Sequence, residues 1–147
     1  MFKHLLVPTD GSELSHATAA KAIRFAREAG ARITFFVACN DYPVSFQEGS
    51  GLTDSATREH LLAAAERDAR AILDPLAAEA AAQGVTAAGV SAACATPHDG
   101  IIAAAMAHDC DLIFMASHGR RGIGALLLGS ETQKVLTHSK IPVLVHR

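Results

Sequence analysis

Cysteine is scarce in this sequence, basic clusters are missing, and each shortage excludes a class of function. Cys39, Cys94 and Cys110 are the only cysteines; they are odd in number, far apart, and form no CxxC pair. That excludes a disulfide framework and a cysteine zinc site, and leaves the three as expected small buried hydrophobes. No lysine-rich tail or basic stripe occurs, and the net charge is −2 with a pI near 6.4. The electrostatic footprint of a nucleic-acid binder is therefore lacking. Half of the residues are hydrophobic, yet no apolar run approaches the roughly 20 residues that cross a bilayer. The short apolar patch in MFKHLLVPTD stops at Pro8, too soon for a signal-peptide core. A cytoplasmic protein with no membrane partner is expected. The eight histidines form no HExxH or other metal-ligand spacing. His118 alone stands near other suggestive residues, and an ordinary loop histidine is the simpler expectation for it.

What is present is an alternation of short apolar runs with helical patterns, in a chain of 147 residues that fits one domain. HLLVP (4–8), ITFFVAC (33–39), VTAAGVSAAC (85–94), DLIFMAS (111–117) and IPVLVH (141–146) read as strands. Helical spacing runs from Ser12 to Ala29, stopped by Gly30, and from about Asp54 to Gly84 with Leu61, Ala65, Ala69, Ile72 and Leu76 as its stripe. A kink or restart is expected at Pro75. Thr96-Pro97 opens a third helix through Met106, and Ser130 with Gln133 has capping-box spacing for a fourth. Residues 41–53, with Pro43, Gly49 and Gly51, read as a loop. The pattern predicts an α/β fold, a single doubly wound parallel sheet with helices on both faces. Periodicity alone leaves the Rossmann-type and flavodoxin-type strand orders open.

Ligands of such sheets bind beyond the carboxyl ends of the strands, where the winding reverses. Two loops qualify. PTDGS (8–12) leaves the first strand, and SHGRRGIGALLLGS (117–130) leaves the fourth. The second has no GK[ST] and is no dinucleotide fingerprint, which should follow the first strand. It does end in Gly-Ser at a helix start, where unpaired amides and the helix dipole favour an anion.

VPTDGS, this glycine-rich loop and the closing IPVLVHR resemble the universal stress protein family over essentially the whole chain. Its ATP-binding members carry Gly-x-x-Gly, nine residues, then Gly-Ser or Gly-Thr. Here the second element is Gly119, the spacer is RRGIGALLL, and the end is Gly129-Ser130. The resemblance implies a five-stranded sheet of order 3-2-1-4-5, a homodimer, and an adenine nucleotide (ATP, ADP or AMP), with Mg2+ as a further candidate. It implies Pro8, Thr9 and Asp10 at the adenosine end, with Ala38 offering its main chain to adenine. Ala116, His118, Gly119 and Arg120 would border the phosphates from one side, and Gly129, Ser130, Glu131 and Thr132 from the other. Asp10 also reads as a cap of the first helix.

Two residues depart from the family pattern. Ala116 replaces the first glycine; it would be strained if that position needs positive φ, whereas in an ordinary strand residue the added methyl costs only space. Glu131 replaces a residue that is more often apolar. It suits a first helical turn, but beside a phosphate it would repel. Two unit charges about 4 Å apart repel by roughly 1 kcal/mol in water and about 4 kcal/mol at an effective dielectric near 20. AMP or ADP is therefore expected to lose less than ATP.

In the 3-2-1-4-5 order the last strand lies at an edge, with Val143 and Val145 on one face and Pro142 at its start. An apolar edge invites pairing with a second copy, so dimerisation is expected through Pro142, Val143, Leu144 and Val145. The alternative is a dimeric, partner-binding regulator whose nucleotide pocket has fallen out of use. Slow ATP hydrolysis or autophosphorylation is the weakest expectation, since no base, nucleophile pair or metal cluster is evident.

Overall fold

Alternate residues of the first strand leave it on opposite sides, and that alternation builds two cores. In β1 (His4–Pro8), Leu5 and Val7 enter one core and Leu6 the other, all with no exposed surface. A strand apolar on both sides needs helices over both faces, and each such side chain contributes about 1.5–3 kcal/mol relative to exposure. The computed structural model describes residues 1–41, 55–119 and 127–147.

After β1 come α1 (Glu13–Ala29), β2 (Arg32–Asn40), α2 (Ser55–Ala82), β3 (Ala87–Cys94), α3 (Pro97–Ala107), β4 (Leu112–Ala116), α4 (Ser130–His138) and β5 (Val143–His146). All strand pairs are parallel, in the order β3-β2-β1-β4-β5. Helices α1 and α2 cover the face carrying Leu5, Val7 and Phe35, and α3 and α4 the face carrying Leu6, Phe36 and Ile113. The chain winds outward from β1 to β3, then crosses back to β4 and β5. The reversal falls between β1 and β4, where Leu5 registers with Leu112 and Leu6 with Ile113.

The caps of α1 follow the sequence. Ser12 Oγ accepts the Ser15 N–H at 3.2 Å, and Gly30 closes the helix in the left-handed region with φ 64°. Three expectations are corrected. Helix α2 runs through Pro75 without a restart, because Ala69 and Leu73 before it and Leu76 and Ala80 after it share one buried stripe. The cap of α4 is Gly129 rather than Ser130, which is the first helical residue; Gln133 donates to the Leu128 carbonyl at 3.0 Å instead of closing a capping box. Of the cysteines only Cys110 is fully buried, while Cys39 and Cys94 are half-buried. The small residues of β3 have a packing reason: a Cβ on Gly89 would stand 2.8 Å from Leu73 Cβ, so α2 lies close on this strand. Most of the 41–53 loop falls outside the described residues.

One polar group is embedded in β1. His4 is 7% exposed, and its Nε2 shares a hydrogen bond of 2.8 Å with Thr34 Oγ1 on β2. Burial, reinforced by the positive charge of Arg32, pushes its pKa below the usual value; a hydrogen bond with the His108 backbone opposes, as more weakly does the charge of Asp111. The folded protein thus resists a proton that the unfolded chain accepts near pH 6.5. Stability from this group is present above that pH and is lost as pH falls through it. The unfolding free energy of the wild type, measured by urea denaturation between pH 7.5 and 5, is expected to fall more steeply than that of His4→Gln. Parallel curves would contradict this account.

Candidate functional site

The β1 and β4 loops emerge side by side at the carboxyl ends of paired strands, and backbone geometry shapes both. Thr9 is buried, and its amide donates to the Phe36 carbonyl at 2.9 Å, carrying the β1–β2 ladder one residue past Pro8. Its hydroxyl shares a hydrogen bond with Ser15 Oγ at 3.0 Å and accepts the Gly11 N–H at 3.3 Å. Asp10 Oδ1 accepts the Ser12 N–H at 2.9 Å. This tight turn needs the left-handed backbone of Gly11, φ 76°. Asp10 therefore supports the turn, and the helix cap itself is Ser12.

On the other strand, Ala116 is the last residue of β4, buried and paired in register with His146 of β5. Among the described residues the non-glycine with positive φ is Asp109, so Ala116 carries no backbone strain. Its carbonyl accepts the Thr132 hydroxyl at 3.1 Å, tying the start of α4 to the end of β4. Ser117 donates its amide to His146 at 2.8 Å and accepts the Gly129 N–H at 2.7 Å. The two ends of the long loop are thereby fastened together. His118 is half-buried, its Nδ1 sharing a 3.1 Å hydrogen bond with Ser117 Oγ.

Two glycines make this proximity possible. A Cβ on Gly119 would stand 2.5 Å from Asp10 Oδ2, so the loops of β1 and β4 touch there. A Cβ on Gly129 would stand 3.1 Å from His118 Cα and 3.3 Å from the Ser117 carbonyl oxygen. Beyond Gly129, Ser130 is exposed and opens α4. The first amides of a helix lack intrahelical partners and attract an anion. Pro8, Thr9, Asp10, Ala116, His118, Gly119, Gly129, Ser130 and Thr132 are thus gathered at one end of the sheet. Ala38 is on the neighbouring β2, half-buried beside Ala92 of β3, and Arg120 lies outside the described residues.

Glu131 takes an unforeseen course. Its Oε2 accepts the backbone N–H of His98 at 2.9 Å and lies 2.9 Å from His98 Nδ1, while Oε1 accepts from Lys134 Nζ at 3.1 Å. Partial burial alone would raise its pKa; the hydrogen bonds from His98 and Lys134 outweigh that and hold it below the usual carboxylate value. Thr96, the predicted cap of α3, spends its hydroxyl on Asp99 Oδ2 at 2.6 Å. Glu131 supplies the missing cap from another helix. Sequence reasoning missed His98 and Lys134 as its partners. Lys134 at i+3 was open to detection, whereas His98 lies 33 residues away.

A separate cleft of about 400 Å³ opens between β3 and α3, lined by Val90, Ala92, Cys94, Gly100, Ala103 and others. Its walls are mostly apolar and do not include the head of α4, so it is not the phosphate candidate. Among the described residues no group of His, Cys, Asp or Glu is placed to hold a metal ion, and no helix is long and apolar enough to cross a membrane.

The sequence matches the model of the universal stress protein family over residues 1–147. It is 32% identical, over all 147 residues of both chains, to the universal stress protein in the QAH/OAS sulfhydrylase 3′ region of Thermus aquaticus. It is 28% identical over 145 residues, 99% of this chain and 82% of the other, to the universal stress protein MJ0531 of Methanocaldococcus jannaschii. Among solved structures, MJ0577 superposes with a TM-score of 0.83 at 24% identity, covering 99% of this chain and 95% of that one. A universal stress protein in complex with cAMP gives 0.69 at 23% identity, covering 99% and 97%. One from Archaeoglobus fulgidus in complex with dAMP gives 0.64 at 15% identity, covering 100% and 98%. At these identities the structures establish a shared fold.

Crowding at Gly129 has a cost that needs no ligand to measure. Gly129→Val adds bulk beyond a Cβ that would already stand 3.1 Å from His118 Cα and 3.3 Å from the Ser117 carbonyl oxygen, and overpacking of this kind costs about 1–3 kcal/mol. Chemical denaturation is expected to show that loss; a change of less than about 0.3 kcal/mol would mean that the loop ends are not clamped here.

Proposed function

The chain belongs to the universal stress protein family across its full length, and we propose that it is a cytoplasmic stress-response regulator that binds an adenine nucleotide and acts as a homodimer. The observation that carries this reading is the meeting of the two loops, with Gly119 against Asp10 and Gly129 at the head of α4. A phosphate fits the amides that open α4, with the exposed Ser130 hydroxyl as a further donor. Asp10, next to Gly119, suits the hydroxyls of a ribose, since an ionised carboxylate only accepts. Main-chain groups at Ala38 suit the edge of an adenine. Relatives of the same fold, solved with cAMP and dAMP, support adenine nucleotides as the ligand class. A magnesium ion would come with the phosphates of ATP or ADP rather than from a prebuilt protein site.

Dimerisation is proposed through β5, a four-residue edge strand whose residues are all half-buried in the single chain. Val143 and Val145 leave it on the same side. One observation favours the second reading, a partner-binding regulator with a disused pocket: Glu131 already holds its charge beside the head of α4. Catalysis is not proposed.

Calorimetric titration with ATP, ADP, AMP and a cyclic nucleotide, with and without Mg2+, is expected to give saturable heat with at least one. Silence with all of them would favour the partner-binding reading. Equilibrium sedimentation at micromolar concentration is expected to give about twice the 15.3 kDa chain mass, with Val143→Glu shifting it towards monomer. A wild-type monomer would remove the dimer.

A further inference from the structure

Glu131 stands one residue past the Gly-Ser element, at the second position of α4, and its carboxylate is committed to α3. The donors that hold it are a helix N-terminal amide and a ring nitrogen, both of His98 at 2.9 Å, and the Lys134 ammonium at 3.1 Å. An ionised carboxylate has only acceptors, so His98 Nδ1 joins as an N–H donor. Amide, imidazole and ammonium are also the donors with which proteins hold phosphate. Helices α3 and α4 pack together on one face of the sheet, and both begin at its carboxyl end, where the β1 and β4 loops meet. The head of α4 is the place for a first phosphate, and the head of α3 is the next anion position along. Glu131 has filled it.

We propose that Glu131 determines which adenine nucleotide the site takes: its carboxylate occupies the anion position that the outer phosphates of a longer nucleotide would need. The site selects a nucleoside monophosphate, linear or cyclic, over a triphosphate. This rests on the adenine-nucleotide reading above. An outer phosphate would have to displace the carboxylate from His98 and Lys134 and then remain beside it. Asp99, whose carboxylate is 3.5 Å from His98 Nε2, and Asp10, against Gly119, add negative charge on either side. A monophosphate bound at the head of α4 leaves the His98–Glu131–Lys134 set intact.

AMP and ATP titrated into the wild type, Glu131→Gln and Glu131→Ala, with and without Mg2+, test this directly. Thermal melting confirms the fold of each variant. The glutamine variant keeps the volume and one acceptor for the His98 amide, so it remains informative if the alanine variant unfolds. The wild type is expected to prefer AMP, and both variants to gain about tenfold or more in ATP affinity. AMP affinity should rise by a clearly smaller factor than ATP affinity, because a single phosphate at the head of α4 leaves the His98–Glu131–Lys134 set in place. Equal AMP and ATP affinities in the wild type, unmoved by either variant, would overturn the selectivity while the nucleotide reading stood. Loss of Mg-ATP affinity in the variants would make Glu131 a metal ligand, and would also overturn it. Absence of binding by all three proteins would overturn both.

Discussion

The pairing of β1 with β4 at the centre of the sheet is the constraint on which the rest of the molecule depends. Leu5 registers with Leu112 and Leu6 with Ile113, joining a half that winds outward from β1 to β3 to a half that winds back through β4 to β5. Parallel crossovers of one hand place α1 and α2 on one face and α3 and α4 on the other. At the reversal, among the described residues, no crossover helix closes the carboxyl ends of the two central strands. Two loops are therefore left facing one another there, and their contact at Asp10 and Gly119 follows from the topology before any chemistry is considered.

The electrostatics follow from the same arrangement. Helices α3 and α4 start at the same end of the sheet, and each start is a centre of partial positive charge. The head of α3 is satisfied from within by Glu131, braced by Lys134. The head of α4 has glycine as its cap and no side-chain cap. One helix start is occupied by a side chain and its neighbour is not, and the proposed choice of ligand rests on that contrast.

Much of this was legible in the sequence, for local reasons. The strands β1 and β4 are nearly continuous apolar runs, and Ser12 and Gly30 mark the ends of α1 by their own conformational preferences. The Gly-Ser pair at a helix start picked out Gly129 and Ser130, and resemblance supplied Gly119 and the strand order that periodicity left open. What could not be read depended on tertiary contacts. The Glu131–His98 bond spans 33 residues. Pro75 pointed to a kink or restart because propensity knows nothing of the stripe that α2 buries on both sides of it. Ser130 looked like a cap because Ser-x-x-Gln fits one, yet the Ser117–Gly129 hydrogen bond starts the helix a residue earlier than that motif would. The strain considered at Ala116 turned on a backbone angle, and an ordinary strand pairing with β5 removed the question.

The central claim is that one site, formed by the β1 and β4 loops, receives the nucleotide. Backbone amide chemical shifts recorded by NMR during titration with AMP test it residue by residue. The account predicts the largest shifts at Thr9, Asp10, Gly119, Gly129 and Ser130, with His98 little moved. Shifts confined to the cleft between β3 and α3, or none anywhere, would contradict it.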